Sequence, residues 1–365
     1  MTSSTLACTL HGALDLRLEA REPRALGPHD VRLSLGAGGI CGSDLHYYQH
    51  GRVGAFVIRE PLVPGHEASG VVAAVGAAVT RVQLGDKVAI DPSHPCGSLG
   101  NLRAAHSGIR PWGGPAGSCD YCRGGRMNLC RRMYFLGSAS IFPHAQGLFA
   151  EAFVMPERQL TPVPEADISL GEIACAEPLS VGLHAVQRAG VLLGKRVLVT
   201  GGGTIGCMCA IAARLAGAAE VVVADIAERP LAIARQIGAD AAVRSDTDGA
   251  TLAERFDVAL EAAGAAAALA TCLAAVQRGG RVVQVGTLPA ELPFPANSVM
   301  ARELDYVGAF RANGEFDLAV QAIRTRRVDV RPLISAQLPL ARAREAFELA
   351  LDRSRSTKVQ LVPNP

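Results

Sequence analysis

The sequence predicts a two-part fold in which a compact β-barrel-like region precedes a doubly wound parallel α/β sheet. Three observations predict it. The 365 residues exceed one ordinary domain, and about two are expected at this length. Residues 1–170 carry short β-like runs broken by Gly and Pro at intervals of roughly ten residues, as in a compact all-β unit. From residue 171 onward, strand-like and helix-like stretches alternate, which is the signature of a parallel sheet with crossover helices.

The elements follow in chain order. Runs at 31–35, 68–75, 87–90 and 152–155 are rich in Val, Ile, Leu and Ala between turn residues and read as strands. Residues 197–200 read as a short buried strand, closed by a Gly-rich turn. A helix at 207–215 and a second strand at 220–224 come next. The alternation continues as helix 230–237, strands 241–243 and 258–260, helix 265–276 and strand 281–285. Helices near 316–323 and 341–351 and a last strand at 358–362 complete the chain. No long linker and no repeat interrupts it.

Bulk properties narrow the function. Hydrophobic residues make up 49% of the chain and charged ones 19%, with 39 Gly and 21 Pro to supply turns, a composition of globular type. The 36 basic and 34 acidic residues leave a net charge of +2, which gives no electrostatic reason to expect nucleic acid or an anionic membrane as partner. Aromatic residues, at 4%, are too few for base-stacking platforms. The weakly apolar run 258–276 is mostly Ala and contains Glu261, so a short strand and buried helix are expected there, not a membrane span. Met1 to Ala20 lack a basic segment followed by an apolar core, so a cytoplasmic protein is expected. In a reducing compartment, clustered thiols point to metal, and four of the ten cysteines lie between positions 96 and 130.

Gly201-Gly202-Gly203-Thr204-Ile205-Gly206 fits the G-x-G-x-x-G pattern. In a chain this rich in glycine the pattern alone is weak, and a turn in some other α/β protein is the alternative. Its context is specific, however. The turn follows a buried strand and opens a helix, and Asp225, 22 residues beyond Gly203, closes the second strand. Glycines let the backbone approach a pyrophosphate, and the helix N-terminus offers unsatisfied N–H groups. Asp225 would accept hydrogen bonds from the adenine ribose and repel a 2′-phosphate, favouring NAD, while Arg229 softens that discrimination and leaves NADP possible.

Cys119-x-x-Cys122-x7-Cys130, with Cys96 upstream, supplies four thiolates, enough for a closed tetrahedral zinc site. A second constellation is Gly39-Ile40-Cys41-Gly42-Ser43-Asp44-Leu45-His46, followed by Pro64-Gly65-His66-Glu67. A lone Cys and a lone His are commonly core residues. Here Ser43 and a second His (His46) lie beside Cys41, and catalytic zinc has three protein ligands and one open position.

At these residues the sequence resembles the zinc-containing medium-chain dehydrogenases, over nearly its whole length. GICGSDLH, PGHEASG, the four-Cys lobe, AEPLSVGLHA, the glycine turn and GAFR occur in the family's order. Glu177-Pro178-Leu179 resembles the polyol branch, where ethanol-type enzymes carry Cys. GGICGSDLHYYQHGRVGAF, FLGSASIFPH and TKVQLV are most similar to the idonate-type members of that branch. The fold implied is a GroES-like catalytic domain (1–170), a Rossmann domain (171–307) and a C-terminal return to the first domain (308–365).

The resemblance also implies roles. Cys41 and His66 would hold a catalytic zinc, with Glu67 or Glu177, or each at different stages, completing the shell. Ser43 and His46 would form the proton exit, and Arg311 would handle the substrate. Tyr47 and His144 are further candidates for the substrate pocket; a packed aromatic and a loop His are the alternatives. Two zinc ions per chain, NAD, a sugar-acid or polyol substrate and a homodimer or homotetramer are expected. The reaction implied is oxidation of the C5 hydroxyl of L-idonate to the 5-keto acid, with sorbitol, xylitol or butanediol as the alternative substrates. One departure stands out: family members have C-G-x-C where Cys96 and Cys119 are 23 apart, so 20 residues are extra. Residues 99–118 read as an exposed inserted loop. Closing the longer loop costs about 2 kcal/mol, and the lobe zinc is expected to remain.

Overall fold

The computed structural model describes residues 4–96 and 119–364, so the segment read as an inserted loop lies outside the described residues. Two compact units form. One comprises Met1–Glu177, Ile334–Asp352 and Lys358–Pro365; the other comprises Pro178–Leu333 and Arg353–Thr357.

In the first unit, a mixed sheet runs in the order Leu160–Pro162, Lys87–Ile90, Glu67–Val75, Asp30–Gly39, Lys358–Val362, Ile334–Pro339, with Ala152–Pro156 also pairing to Asp30–Gly39. Leu33, Leu35, Val72, Val88, Ile90 and Leu148 pack into one core on this sheet. The register places the site. Asp30–Gly39 and Glu67–Val75 are antiparallel with Gly39 opposite Glu67, and Lys358–Val362 runs antiparallel to the first strand with Gln360 opposite Gly39. The chain leaving Gly39 toward Cys41, the chain arriving at Glu67 through His66, and the start of the last strand therefore meet at one end of the sheet. Two register shifts in Asp30–Gly39 bend that strand before its end.

The second unit is a six-stranded parallel sheet in the order Ala241–Arg244, Glu220–Asp225, Arg196–Thr200, Phe256–Glu261, Val276–Gln284, Asp305–Gly308. Val197–Val199 and Val221–Val223 are fully buried, as expected for central strands whose two faces are both covered. Chain order reverses beside Arg196–Thr200, and such a switch point is where open α/β sheets bind ligands. Asp305–Gly308 pairs with Val276–Gln284, and the helix Phe316–Arg324 belongs to this unit, so the return to the first unit begins at Ile334 and not at 308. Val276, read as the end of a helix, starts a strand because it pairs with Phe256. Among the described residues no helix is long and apolar enough to cross a membrane.

Candidate active site

Cys41 caps the helix Gly42–His50, and the helix carries Ser43 and His46. Asp44, fully buried, holds both halves of the site. Its Oδ2 accepts the Cys41 N–H at 2.9 Å and its Oδ1 accepts the Gly65 N–H at 3.1 Å. Gly65 adopts φ +94°, a left-handed conformation that suits glycine, and a Cβ there would lie 2.3 Å from Cδ1 of buried Phe149.

The Cys41 sulfur, an imidazole nitrogen of His66 and a carboxylate oxygen of Glu67 all lie within 4.8 Å of one another. One thiol, one imidazole and one carboxylate form a donor set suited to zinc with a position left open. His66 Nδ1 is buried without a hydrogen-bond partner, 3.8 Å from Oδ1 of Asp44. Burial, followed by the Glu67 carboxylate, pushes the Cys41 thiol up, with Lys358 opposing. Burial pushes the Glu177 carboxyl up to about 7; His66 opposes the shift and Glu67 adds to it, so the helix Ala176–Ala189 brings Glu177 electrostatically close to this cluster.

Ser43 is half-buried and His46 exposed, three residues apart on one helix. Tyr47 packs in the core, its hydroxyl accepting the Ala139 N–H at 2.9 Å. His144 is buried with both ring nitrogens engaged: Nε2 accepts from Arg59 N–H at 2.8 Å, so Nδ1–H donates to Ile141 O at 2.8 Å. Both placements match the packed alternatives considered for these residues.

Sequence reasoning gave no role to two residues. Asp44 stood inside the GICGSDLH stretch, three residues after Cys41, at the spacing of a capping box. Lys358 stood in a short apolar strand. Its ammonium is buried, donating to Glu67 Oε2 at 2.6 Å and to Ile40 O at 2.9 Å. Burial pulls its pKa down, but Glu67 and then Cys41 outweigh this and raise it, so it is charged.

The sulfur atoms of Cys96, Cys119, Cys122 and Cys130 also lie within 4.8 Å of one another and form no disulfide. Cys96 Sγ is 3.6 Å from Cys122 Sγ, close to the edge of roughly 3.8 Å that tetrahedral zinc–sulfur bonds impose. Backbone N–H groups of Arg131 and Cys122 hold the Cys119 thiol down at about 6, and Cys130 Sγ accepts from Cys96 N–H at 3.2 Å. Donors of this kind favour thiolates over thiols, but at Cys130 burial outweighs them and raises the thiol above its ordinary value.

In the second unit, Gly201 leaves the strand Arg196–Thr200 with φ +89°, where a Cβ would meet Ala263 N at 2.7 Å. Gly206 is more constrained: a Cβ would come within 1.6 Å of Gly201 O. Gly203 caps the helix Thr204–Leu215 and is open, with no atom within 4 Å of its Cβ position. A bare helix N-terminus of this form suits a pyrophosphate. Thr204 and Ile205, half-buried, form the first turn of that helix. Asp225 ends its strand, Oδ2 accepting Gly202 N–H at 2.7 Å and Oδ1 accepting Ala227 N–H at 2.9 Å. Arg229 lies in the following helix, its Nε buried without a partner. Arg311, in the same unit, is left-handed at φ +55° with its guanidinium 4.9 Å from the Phe310 ring centroid.

Comparison with known proteins agrees with this geometry. Residues 27–165 match the model of the alcohol dehydrogenase GroES-like domain, and residues 204–325 that of the zinc-binding dehydrogenases. Sorbitol dehydrogenase of Gallus gallus is 35% identical over 100% of this chain and 98% of its own. L-idonate 5-dehydrogenase (NAD(P)(+)) of Escherichia coli is 39% identical over 89% of each chain. The crystal structure of L-idonate 5-dehydrogenase from Escherichia coli superposes with a TM-score of 0.87 at 36% identity, covering 99% of both chains. With a GroES-like sheet carrying a thiol–imidazole–carboxylate cluster and a Rossmann sheet carrying the glycine turn, the chain belongs to the zinc-dependent alcohol and polyol dehydrogenases.

Proposed function

We propose that this chain oxidises the C5 hydroxyl of a sugar acid, L-idonate, to the 5-keto acid, with NAD as hydride acceptor. The observation that carries the chemistry is the convergence of Cys41, His66 and Glu67 within 4.8 Å. The choice of substrate is supported by similarity to the Escherichia coli L-idonate enzyme.

When bound, zinc supplies a Lewis acid that lowers the pKa of a substrate hydroxyl, and nicotinamide supplies the hydride acceptor. Cys41 and His66 would hold the metal, with Glu67 or Glu177, or each at different stages, completing the protein ligands. Asp44 fixes the two ligand-bearing segments. The Ser43 hydroxyl takes the substrate proton and passes it to the His46 ring at the surface, a route consistent with their half-buried and exposed positions. Glycines 201, 203 and 206, with Thr204 and Ile205, receive the pyrophosphate. Asp225 takes the ribose hydroxyls and disfavours a 2′-phosphate, against which Arg229 acts. Arg311 binds the carboxylate of the sugar acid. Cys96, Cys119, Cys122 and Cys130 hold a second, structural zinc.

A polyol substrate is the second reading, favoured by the full-length similarity to the Gallus gallus sorbitol dehydrogenase. A steady-state panel of L-idonate, D-gluconate and D-sorbitol, each with NAD and NADP, separates them. The highest kcat/KM is expected for L-idonate with NAD. A preference for sorbitol would replace the first reading by the second.

A further inference from the structure

Lys358, in the TKVQLV stretch, is among the most deeply buried cations of the described residues, at 2% exposure. An ammonium in such a place is retained only when it is paired and hydrogen-bonded. Its partners are specific. One bond goes to the carbonyl of Ile40, the residue before Cys41, and the other to Oε2 of Glu67, the residue after His66. Room for the pair is built into the backbone: a Cβ on Gly39 would lie 2.3 Å from Glu67 Oε2 and 3.3 Å from Lys358 Cδ. The strand that carries Lys358 is locked there by Ile40 N–H donating to Val359 O at 2.9 Å. Only Oε2 of Glu67 is engaged; Oε1 takes no hydrogen bond from any described residue.

We propose that Lys358 is a positioning residue of the metal centre. By holding Oε2 of Glu67 and the carbonyl preceding Cys41, it presents Glu67 Oε1 to the metal and offsets one negative charge of the ligand set. A carboxylate pinned by an ammonium on one oxygen is free to ligate through the other. Partners of this kind outside the ligand shell orient ligands and tune the metal. The inference rests on the assignment of Cys41, His66 and Glu67 as metal ligands.

The test uses the full chain reconstituted with cobalt(II), whose visible absorption reports its ligands, and with zinc challenged by a chelator. Relative to wild type, Lys358→Met is expected to shift the cobalt bands of the Cys41 site and to speed chelator removal of that zinc about 10- to 100-fold, the usual range for partners of metal ligands. If Lys358 acts through Glu67, adding Lys358→Met to Glu67→Gln changes the bands little further. Should Lys358→Met not fold, Lys358→Arg, which keeps the charge but spreads it over a planar fork, is measured in its place with an intermediate shift expected. A variant that loses thermal stability while keeping wild-type bands and release rate would overturn the proposal and leave Lys358 a structural ion pair. Failure of the underlying assignment looks different: wild type and Cys41→Ser would then show identical metal content and spectra.

Discussion

Gly65→Ala tests how the turn before His66 is built. Gly65 precedes His66 and holds φ +94°. A Cβ would sit 2.3, 2.5 and 2.7 Å from Cδ1, Cε1 and Cγ of Phe149, which is fully buried. The ring cannot retreat freely, because it lies so close to the Gly38 backbone that a Cβ there would come within 2.9 Å of it, and it packs edge-on to Phe347 with ring centroids 6.2 Å apart. The left-handed backbone costs an Ala about 1–2 kcal/mol, and forcing the extra methyl into a packed site costs about 1–3 kcal/mol. The sum predicts a loss of about 2–5 kcal/mol. Phe149→Ala alone should cost about 3–5 kcal/mol by opening a cavity. In the double variant the methyl enters that cavity, so only the backbone cost of Gly65→Ala survives. The pair should then be less destabilised than the sum of the singles by about 1–3 kcal/mol, the overpacking share. Guanidinium unfolding of the four proteins, followed by circular dichroism and by hydrogen exchange in the strand Glu67–Val75, reads this cycle. Strict additivity, or a Gly65→Ala protein as stable as wild type, would refute the packing argument.

Two further outcomes follow from particular contacts. Glu315 accepts from the His184 ring at 2.9 Å and from Asn313 N–H; burial raises its pKa, but these bonds outweigh burial and lower it below the ordinary 4.5. A carboxyl depressed in the folded state contributes stability that is present above pH 4.5 and lost as pH falls through the lower folded value. The stability gap between wild type and Glu315→Gln should therefore narrow on acidification from pH 6 to about 3, and a gap independent of pH would contradict the pairing. Asp225→Ser removes the acceptor proposed for the ribose hydroxyls. It should raise KM for NAD about tenfold to a hundredfold, matching the roughly 1.5–3 kcal/mol of hydrogen bonds to a charged group, and should improve the relative use of NADP. An unchanged cofactor ratio would remove Asp225 from that role.

Much of this was legible in the sequence because its signals are local. The central strands are short apolar runs bounded by turns, and 87–90 and 358–362 were read with the bounds the structure shows, Lys87–Ile90 and Lys358–Val362. The Rossmann turn showed itself by glycines, of which Gly201 and Gly206 are demanded by close contacts, most sharply Gly206 against Gly201 O, while Gly203 is open. Where pairing decides, local signals failed: Val276 looked like the end of an apolar helix, yet it pairs with Phe256. The candidate site divides in the same way. Cys41 and His66 were visible as chemically unusual residues in compact motifs. Asp44 was not assigned because its partners, Cys41 N–H and Gly65 N–H, lie on two segments that only the sheet register brings together. Lys358 belongs to a strand distant in sequence from both segments it binds, and one Lys ahead of Val-Gln-Leu-Val carries no pattern that announces burial. Tyr47 shows the converse: its place in the motif suggested substrate contact, while its hydroxyl is engaged by Ala139 in the core.

Cys41 and His66 are proposed to meet at a metal ion. Anomalous diffraction recorded above and below the zinc absorption edge, on crystals grown with zinc, tests it directly. A peak is expected within about 2.3 Å of Cys41 Sγ and about 2.1 Å of a His66 ring nitrogen, besides the one expected among the four lobe sulfurs. A zinc-replete crystal with a peak in the lobe and none beside Cys41 would contradict it.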